Sequence, residues 1–237
     1  MMPEQSTPPK KRTAVLISGR GSNMMALANA AADDADFPAE IAIVVSNRPE
    51  APGLEWARNA GIQTHTVNHK DFPSREAFEA ELHRTLTNIN AEIIALAGFM
   101  RILTASFVSK WEGRMLNIHP SLLPAFKGLH THEQAIAAGV KIAGCTAHFV
   151  TAEMDAGPII AQAAVPVFTD DTSTTLADRI LIAEHQVYPL ALRLAASGEA
   201  KFHSTEQHLN SKSVSSSVNH TRVLYSPMPD RAPTVHT

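Results

Sequence analysis

The sequence predicts an α/β protein built on a Rossmann-like, mostly parallel sheet with helices on both faces. Three observations carry this expectation. Apolar runs of strand length alternate with helical patterns along most of the chain. A glycine-rich turn, Gly19-Arg20-Gly21, joins the first apolar run to the first helical pattern. With 237 residues, 44% of them hydrophobic, the chain can bury one substantial core.

Residues 13–18 (TAVLIS) read as a buried first strand, and 22–31 as the helix after the glycine turn. Residues 40–46 (EIAIVVS) form the second strand, ended by Asn47-Arg48-Pro49. A short helix over 54–60 is closed by Gly61, and 62–67 follows as a third strand. Ser74 is a helix N-cap, with the helix running to about Ile89 and burying Phe78 and Leu82. Residues 92–97 (EIIALA) and 114–118 (RMLNI) are the fourth and fifth strands. After an irregular stretch, 131–138 is helical, 143–150 alternates like a strand, and 158–167 is another strand. A long helix over 173–196 takes Ser173 as its cap. Residues 1–12 are expected to be a flexible extension and 13–203 a single domain. Residues 204–237, with a Lys/Ser/Val-rich stretch and late prolines, are expected to be a disordered tail.

Composition excludes several classes. The net charge of −3 gives no basic field for nucleic acid. No apolar run approaches the roughly 18 residues of a membrane span. Cys145 is the sole cysteine, so no internal disulfide forms, and it reads as a core thiol. Lys10, Lys11 and Arg12 precede an apolar run too short for a secretory signal. The expectation is a cytoplasmic protein, monomer or homodimer, that handles small molecules and engages neither nucleic acid nor membrane.

Two places carry chemistry. The turn after the first strand presents Gly21, Ser22 and Asn23 at a helix N-terminus, where backbone N–H groups converge on an anion; the alternative is a plain capped turn. A dinucleotide is disfavoured, because Met24 stands where the third glycine belongs and Ser46-Asn47-Arg48 offers no acid to a ribose. The second place is Asn117-Ile118-His119-Pro120-Ser121-Leu122-Leu123-Pro124. Asn117 and His119 are two apart and share a strand face at its C-terminal end. An amide donor beside an imidazole suits attack on a carbonyl, one holding the oxyanion and the other moving a proton. Asp155 lies in a later turn, Asp155-Ala156-Gly157-Pro158, and spacing alone does not bring it to His119. His148 either faces this pocket or packs in the core.

The Asn-x-His-Pro-Ser-Leu-Leu-Pro segment followed by the Asp-x-Gly-Pro turn resembles the 10-formyltetrahydrofolate-dependent formyltransferases. The likeness covers about residues 13–201, including the turn to Asn23, Leu96-Ala97-Gly98-Phe99-Met100-Arg101-Ile102-Leu103, Gly128-Leu129-His130-Thr131-His132 and Glu184-His185. It implies transfer of a formyl group from 10-formyltetrahydrofolate to the amine of 5'-phosphoribosylglycinamide in purine biosynthesis, with no metal. By the same resemblance Asn117, His119 and Asp155 are catalytic, and Gly21, Ser22 and Asn23 hold the ribosyl phosphate. Leu181 and Glu184 lie at the ribosyl glycinamide. Arg75, Asn117 and the Met100, Arg101, Ile102, Leu103 stretch contact the folate. Ala156 stands where the family commonly has glycine.

Other readings compete. A metallohydrolase would use His119, His130 and His132, but the last two, at i and i+2 on a helix, point apart. Within the superfamily, a formyltetrahydrofolate hydrolase or a methionyl-tRNA formyltransferase would each be expected to carry a further domain. A non-catalytic module would need the phosphate turn without Asn117, His119 and Asp155.

Overall fold

The computed structural model describes residues 9–202 and the backbone of Arg222–Tyr225. Its centre is β1 (Lys11–Ile17), flanked on one side by β2 (Ala39–Ser46) and β3 (Thr64–Thr66). On the other side lie β4 (Ile93–Leu96), β5 (Met115–His119), β6 (Ile142–Phe149), β7 (Ile159–Pro166) and β8 (Arg222–Tyr225). Every pairing is parallel except β5 with β6 and β6 with β7, so β6 alone is reversed.

The central strands are apolar over Ala14–Ile17 of β1 and Ile93–Leu96 of β4 because both faces are covered there. Val15 and Ile17 of β1 enter one buried cluster, whereas Ala14 and Leu16 enter the other. The first cluster is closed by α1 (Ser22–Asp33), α2 (Pro52–Asn59), α5 (Thr131–Ala137) and α6 (Ser173–Ala196). The second is closed by α3 (Arg75–Asn88) and α4 (Ala105–Lys110), through Phe78, Leu82, Leu86 and Phe107. Cys145 is fully buried in the first cluster. Tyr188, also fully buried on α6, ties that helix to the sheet by donating to the Leu96 and Leu116 carbonyls at 2.9 and 3.2 Å.

Some elements differ from expectation. The second helix starts at Pro52, whose fixed φ and missing N–H suit the first helical turn. The third strand shortens to Thr64–Thr66. A 3-10 turn, His69–Asp71, and α4 had no clear periodicity to reveal them. Ser74 caps α3 as expected, accepting from the Ala77 N–H at 3.1 Å. The long helix is capped by Thr172 instead of Ser173: Thr172 and Thr175, three apart, exchange side chain-to-backbone bonds at both ends. Just before it, Asp171 takes a bidentate pair from Arg179 at 2.7 and 2.8 Å. Of the tail expected to be disordered, Arg222–Tyr225 (RVLY) pairs along the β7 edge. That short run has strand propensity that its low-complexity surroundings mask. Residues 1–8, 203–221 and 226–237 lie outside the described residues, and with them most of the expectation for both termini.

Candidate active site

β1 and β4 are neighbours, yet the chain runs outward from them in opposite directions, so the C-terminal ends of β1, β4 and β5 surround one crevice. Each contributes one wall.

The β1 wall is the glycine turn. Gly21 has φ 74°, in the left-handed region, and α1 opens with no side-chain cap. The Met25 N–H returns to the Gly21 carbonyl at 2.9 Å, which leaves the N–H groups of Ser22, Asn23 and Met24 at the open helix end. The turn is buttressed by Gly53 on α2, whose N–H donates to the Gly19 carbonyl at 3.1 Å. A Cβ at Gly53 would stand 2.7 Å from Ile17 Cδ1 and 3.0 Å from the Arg20 carbonyl oxygen. The side chain of Asn23 turns away from the open N–H groups. Its Nδ2 donates to Glu184 Oε2 on α6 at 2.6 Å, and its Oδ1 is buried without a hydrogen-bond partner. Glu184 is itself 7% exposed, and burial pushes its carboxyl up to about 7 against the Asn23 bond. Leu181 lies half-buried one turn earlier on the same face of α6.

The β4 wall is an irregular ledge. Met100 and Ile102 are 67% and 64% exposed, large apolar side chains laid open beside the crevice. Both ends of the ledge are fixed by side chains that sequence reading did not single out. The Met100 N–H donates to Ser18 Oγ at 2.8 Å, and Ser18 donates onward to Asn47 Oδ1 at 2.5 Å. At the far end the Thr104 N–H and hydroxyl both donate to the carboxylate of Glu79, which is buried on α3. Arg101 and Leu103 between them are half-buried. Arg75 is exposed at the start of α3, four residues before Glu79 and so on the same helix face.

The β5 wall holds the polar cluster. Asn117 pairs with His148 across the β5–β6 ladder, and its Nδ2 lies 3.3 Å from His148 Nε2. His148 Nδ1 lies 2.8 Å from the Phe149 carbonyl, so the ring proton sits there and Nε2 accepts. That acceptor fixes the Asn117 amide with its NH2 toward the cluster. Burial lowers the His148 pKa, more than the Phe149 carbonyl and Asp155 offset it, and keeps the ring neutral. His119 Nε2 meets the Phe126 carbonyl at 2.9 Å and carries a proton there, while its Nδ1 faces Asp155 Oδ2 at 3.6 Å. Asp155 Oδ1 is 3.9 Å from His148 Nε2. The carboxylate therefore stands between two buried imidazoles at distances longer than direct hydrogen bonds. Asp155 Oδ2 also accepts from the Gly128 N–H at 2.9 Å.

Two loops bring these groups together. The 120–126 loop, with a cis Leu123–Pro124 bond, is pinned to β6 and β7. Thr146 Oγ1 donates to the Ser121 carbonyl at 2.7 Å, and Gln162 Nε2 donates to the Leu123 carbonyl at 3.0 Å. The loop after β6 starts level with Met115, where the Val150 N–H donates to the Met115 carbonyl, and folds back to place Asp155 at His119. Asp155 has φ 50°, whereas Ala156 is not among the positive-φ residues, so that position requires no glycine. Gly157 does: a Cβ there would lie 1.8 Å from the Phe149 carbonyl oxygen.

Asn117, His119 and Asp155 are thus brought together, and His148 joins them. Its signal was the β-strand alternation that puts it on the face opposite Cys145 and Ala147. His130, by contrast, is exposed at the start of α5, 3.6 Å from Glu133. Among the described residues no group of three or more His, Cys, Asp or Glu is arranged to hold a metal ion, and no helix is long and apolar enough to cross a membrane.

A crevice with an open helix N-terminus, an apolar ledge and an Asn/His/Asp cluster defines a class, and comparison agrees. The sequence profile of the formyl transferase family matches residues 11–192, and the chain belongs to that family. Within it, the chain is 47% identical over 189 residues to the phosphoribosylglycinamide formyltransferase of Escherichia coli K12, covering 80% of this chain and 89% of that protein. It is 50% identical over 194 residues to the trifunctional purine biosynthetic protein adenosine-3 of Bos taurus, covering 82% of this chain but 19% of that protein. The chain thus spans about a fifth of the length of that trifunctional relative. The crystal structure of phosphoribosylglycinamide formyltransferase from Brucella melitensis superposes with a TM-score of 0.76 at 52% identity, covering 82% of this chain and 100% of that one.

Proposed function

We propose that this chain transfers the formyl group of 10-formyltetrahydrofolate to the amine of 5'-phosphoribosylglycinamide, giving the formylglycinamide ribonucleotide and tetrahydrofolate. The observation that carries the reading is the conjunction, in one crevice, of an uncapped α1 N-terminus and the Asn117, His119 and Asp155 cluster. An anion-binding helix end beside a set suited to carbonyl attack fits a phosphorylated amine as acceptor.

In this reading the phosphate sits on the N–H groups of Gly21, Ser22 and Asn23, with Leu181 and Glu184 toward the ribose. The folate lies along Met100, Arg101, Ile102 and Leu103, with Arg75 at its outer end. The neutral amine attacks the formyl carbon and forms a C–N bond. The oxyanion accepts from the Asn117 NH2, which His148 has oriented, and from His119 in its protonated form, through Nδ1–H, since Nε2–H stays on the Phe126 carbonyl. As the adduct collapses, the bond to folate N10 breaks and N10 takes up the proton that the amine gives up. The gap between His119 Nδ1 and Asp155 is the place for that proton to pass, directly or through a water. The reading needs small-molecule substrates only and suits a cytoplasmic enzyme.

The test is release of tetrahydrofolate from 10-formyltetrahydrofolate with and without the glycinamide. Amine-dependent release, lost on His119→Ala with the fold retained, supports it. Equal release without the amine would mark a hydrolase, and unchanged turnover in His119→Ala would remove the cluster from the mechanism.

A further inference from the structure

Asn23 and Glu184 make a pair that the observed arrangement leaves incomplete. Asn23 donates to the carboxylate at 2.6 Å, but in doing so it strands its own carbonyl oxygen in a buried position with nothing to accept from. A buried amide oxygen without a donor is costly. The carboxylate in turn is bonded to the second residue of α1, at a helix end built to receive an anion, so an ionised Glu184 and a bound phosphate would repel each other. Both defects are removed by one proton and one rotation.

Resting on the reading that the α1 turn holds a sugar phosphate, we propose that Glu184 receives that ligand as a neutral acid and that Asn23 turns its amide over to match. The carboxyl O–H then donates to Asn23 Oδ1, and the Asn23 NH2 is released toward the phosphate. The other carboxyl oxygen remains an acceptor for a ribose hydroxyl. The proton comes from solvent and no other bond changes. Asn23 is a positioning residue in this scheme, because it reports the protonation of Glu184 to the phosphate turn.

The surroundings allow this titration to be read. Asn23 is neutral on α1. Cys145 on β6 and Tyr188 on α6 feel the Glu184 charge, but burial first pushes both well above neutrality, so they stay protonated. His185, adjacent on α6, is held neutral by its own burial. Glu184 itself, pushed up to about 7 by burial, changes state near neutrality.

Ribose 5-phosphate is the probe, since it carries the phosphate and hydroxyls but no amine to titrate. Calorimetric titration at about pH 8, in two buffers of different ionisation enthalpy, counts protons exchanged on binding. The phosphate is already a dianion there, with its second pKa at about 6. Uptake approaching one proton is expected, falling to near zero in Glu184→Gln and reduced in Asn23→Ala. Binding without uptake, uptake that persists in Glu184→Gln, or no binding at all would each overturn the proposal. Formyl transfer measured in parallel separates the two ideas: transfer without proton uptake sinks this inference alone, and uptake without transfer sinks the catalytic reading alone.

Discussion

Glu184→Gln should make the unliganded protein more stable at alkaline pH, an unusual outcome for a substitution in a ligand site. The carboxyl ordinarily titrates near 4.5, and burial in the fold moves it to about 7. Between those values the folded protein keeps a proton that the unfolded chain has released, so stability falls as pH rises through that window. Above about pH 7 the fold carries a buried carboxylate. At about 1.4 kcal/mol per pH unit across the window, this costs on the order of 3 kcal/mol. Glutamine is neutral at every pH and can donate to the stranded Asn23 oxygen, so the cost disappears. Urea unfolding of both proteins at about pH 5.5 and pH 8 is the assay. The variant should already lead by about 1.4 kcal/mol at the lower pH, one unit into the window, and by about 3 kcal/mol at the higher. Equal differences at both pH values, or a variant weaker at both, would refute the reasoning, because the effect would then be packing and not charge.

Two further outcomes follow from the geometry. Gly157→Ala puts a methyl group into the Phe149 carbonyl and must shift the turn that carries Asp155. A displacement of about 1 Å is expected to cost roughly a hundredfold in kcat/KM with the fold intact, whereas Ala156→Gly should leave steady-state rates near wild type. Asp171→Ala removes the bidentate partner of Arg179, which keeps the Pro166 carbonyl and the Phe168 ring, so it should destabilise by about 1.5–3 kcal/mol in urea titration. Because Arg179 holds the Asp171 carboxyl well below its usual 3.8, the pair contributes above that pH and is lost on acidification below it.

The parts of the fold legible in the sequence were those governed by local pattern. The apolar runs of β1, β2 and β4, the glycine turn and the Ser74 cap each follow from residues within a few positions of one another. So does the shared face of Asn117 and His119, since strand geometry alone fixes it. What escaped depends on distant partners. Asp155 reaches His119 because a loop leaving β6 at the level of Met115 doubles back, a path that spacing does not encode. Glu79 and Ser18 look like ordinary helix and strand-end residues until the ledge between Met100 and Thr104 is seen resting on them. The Asn23 side chain is engaged with a residue 161 positions away, a bond that its place in the glycine turn does not announce. Gly53 showed no turn signal, because its constraint is the close approach of the Gly19 turn and Ile17 rather than its own dihedral angles.

The reversed strand β6 has a consequence for how errors in folding would show themselves. Asn117 faces His148 only because the β5–β6 ladder has one register, in which Leu116 meets Phe149 and His119 meets Thr146. A slip by one residue would turn the imidazole into the apolar cluster and offer Ala147 or Phe149 to the amide instead. It would also move Thr146, which pins the 120–126 loop. Correct alignment of two neighbouring strands is therefore proofread by chemistry: a molecule that pairs them wrongly could remain compact, but its amide would have lost the imidazole that aims it.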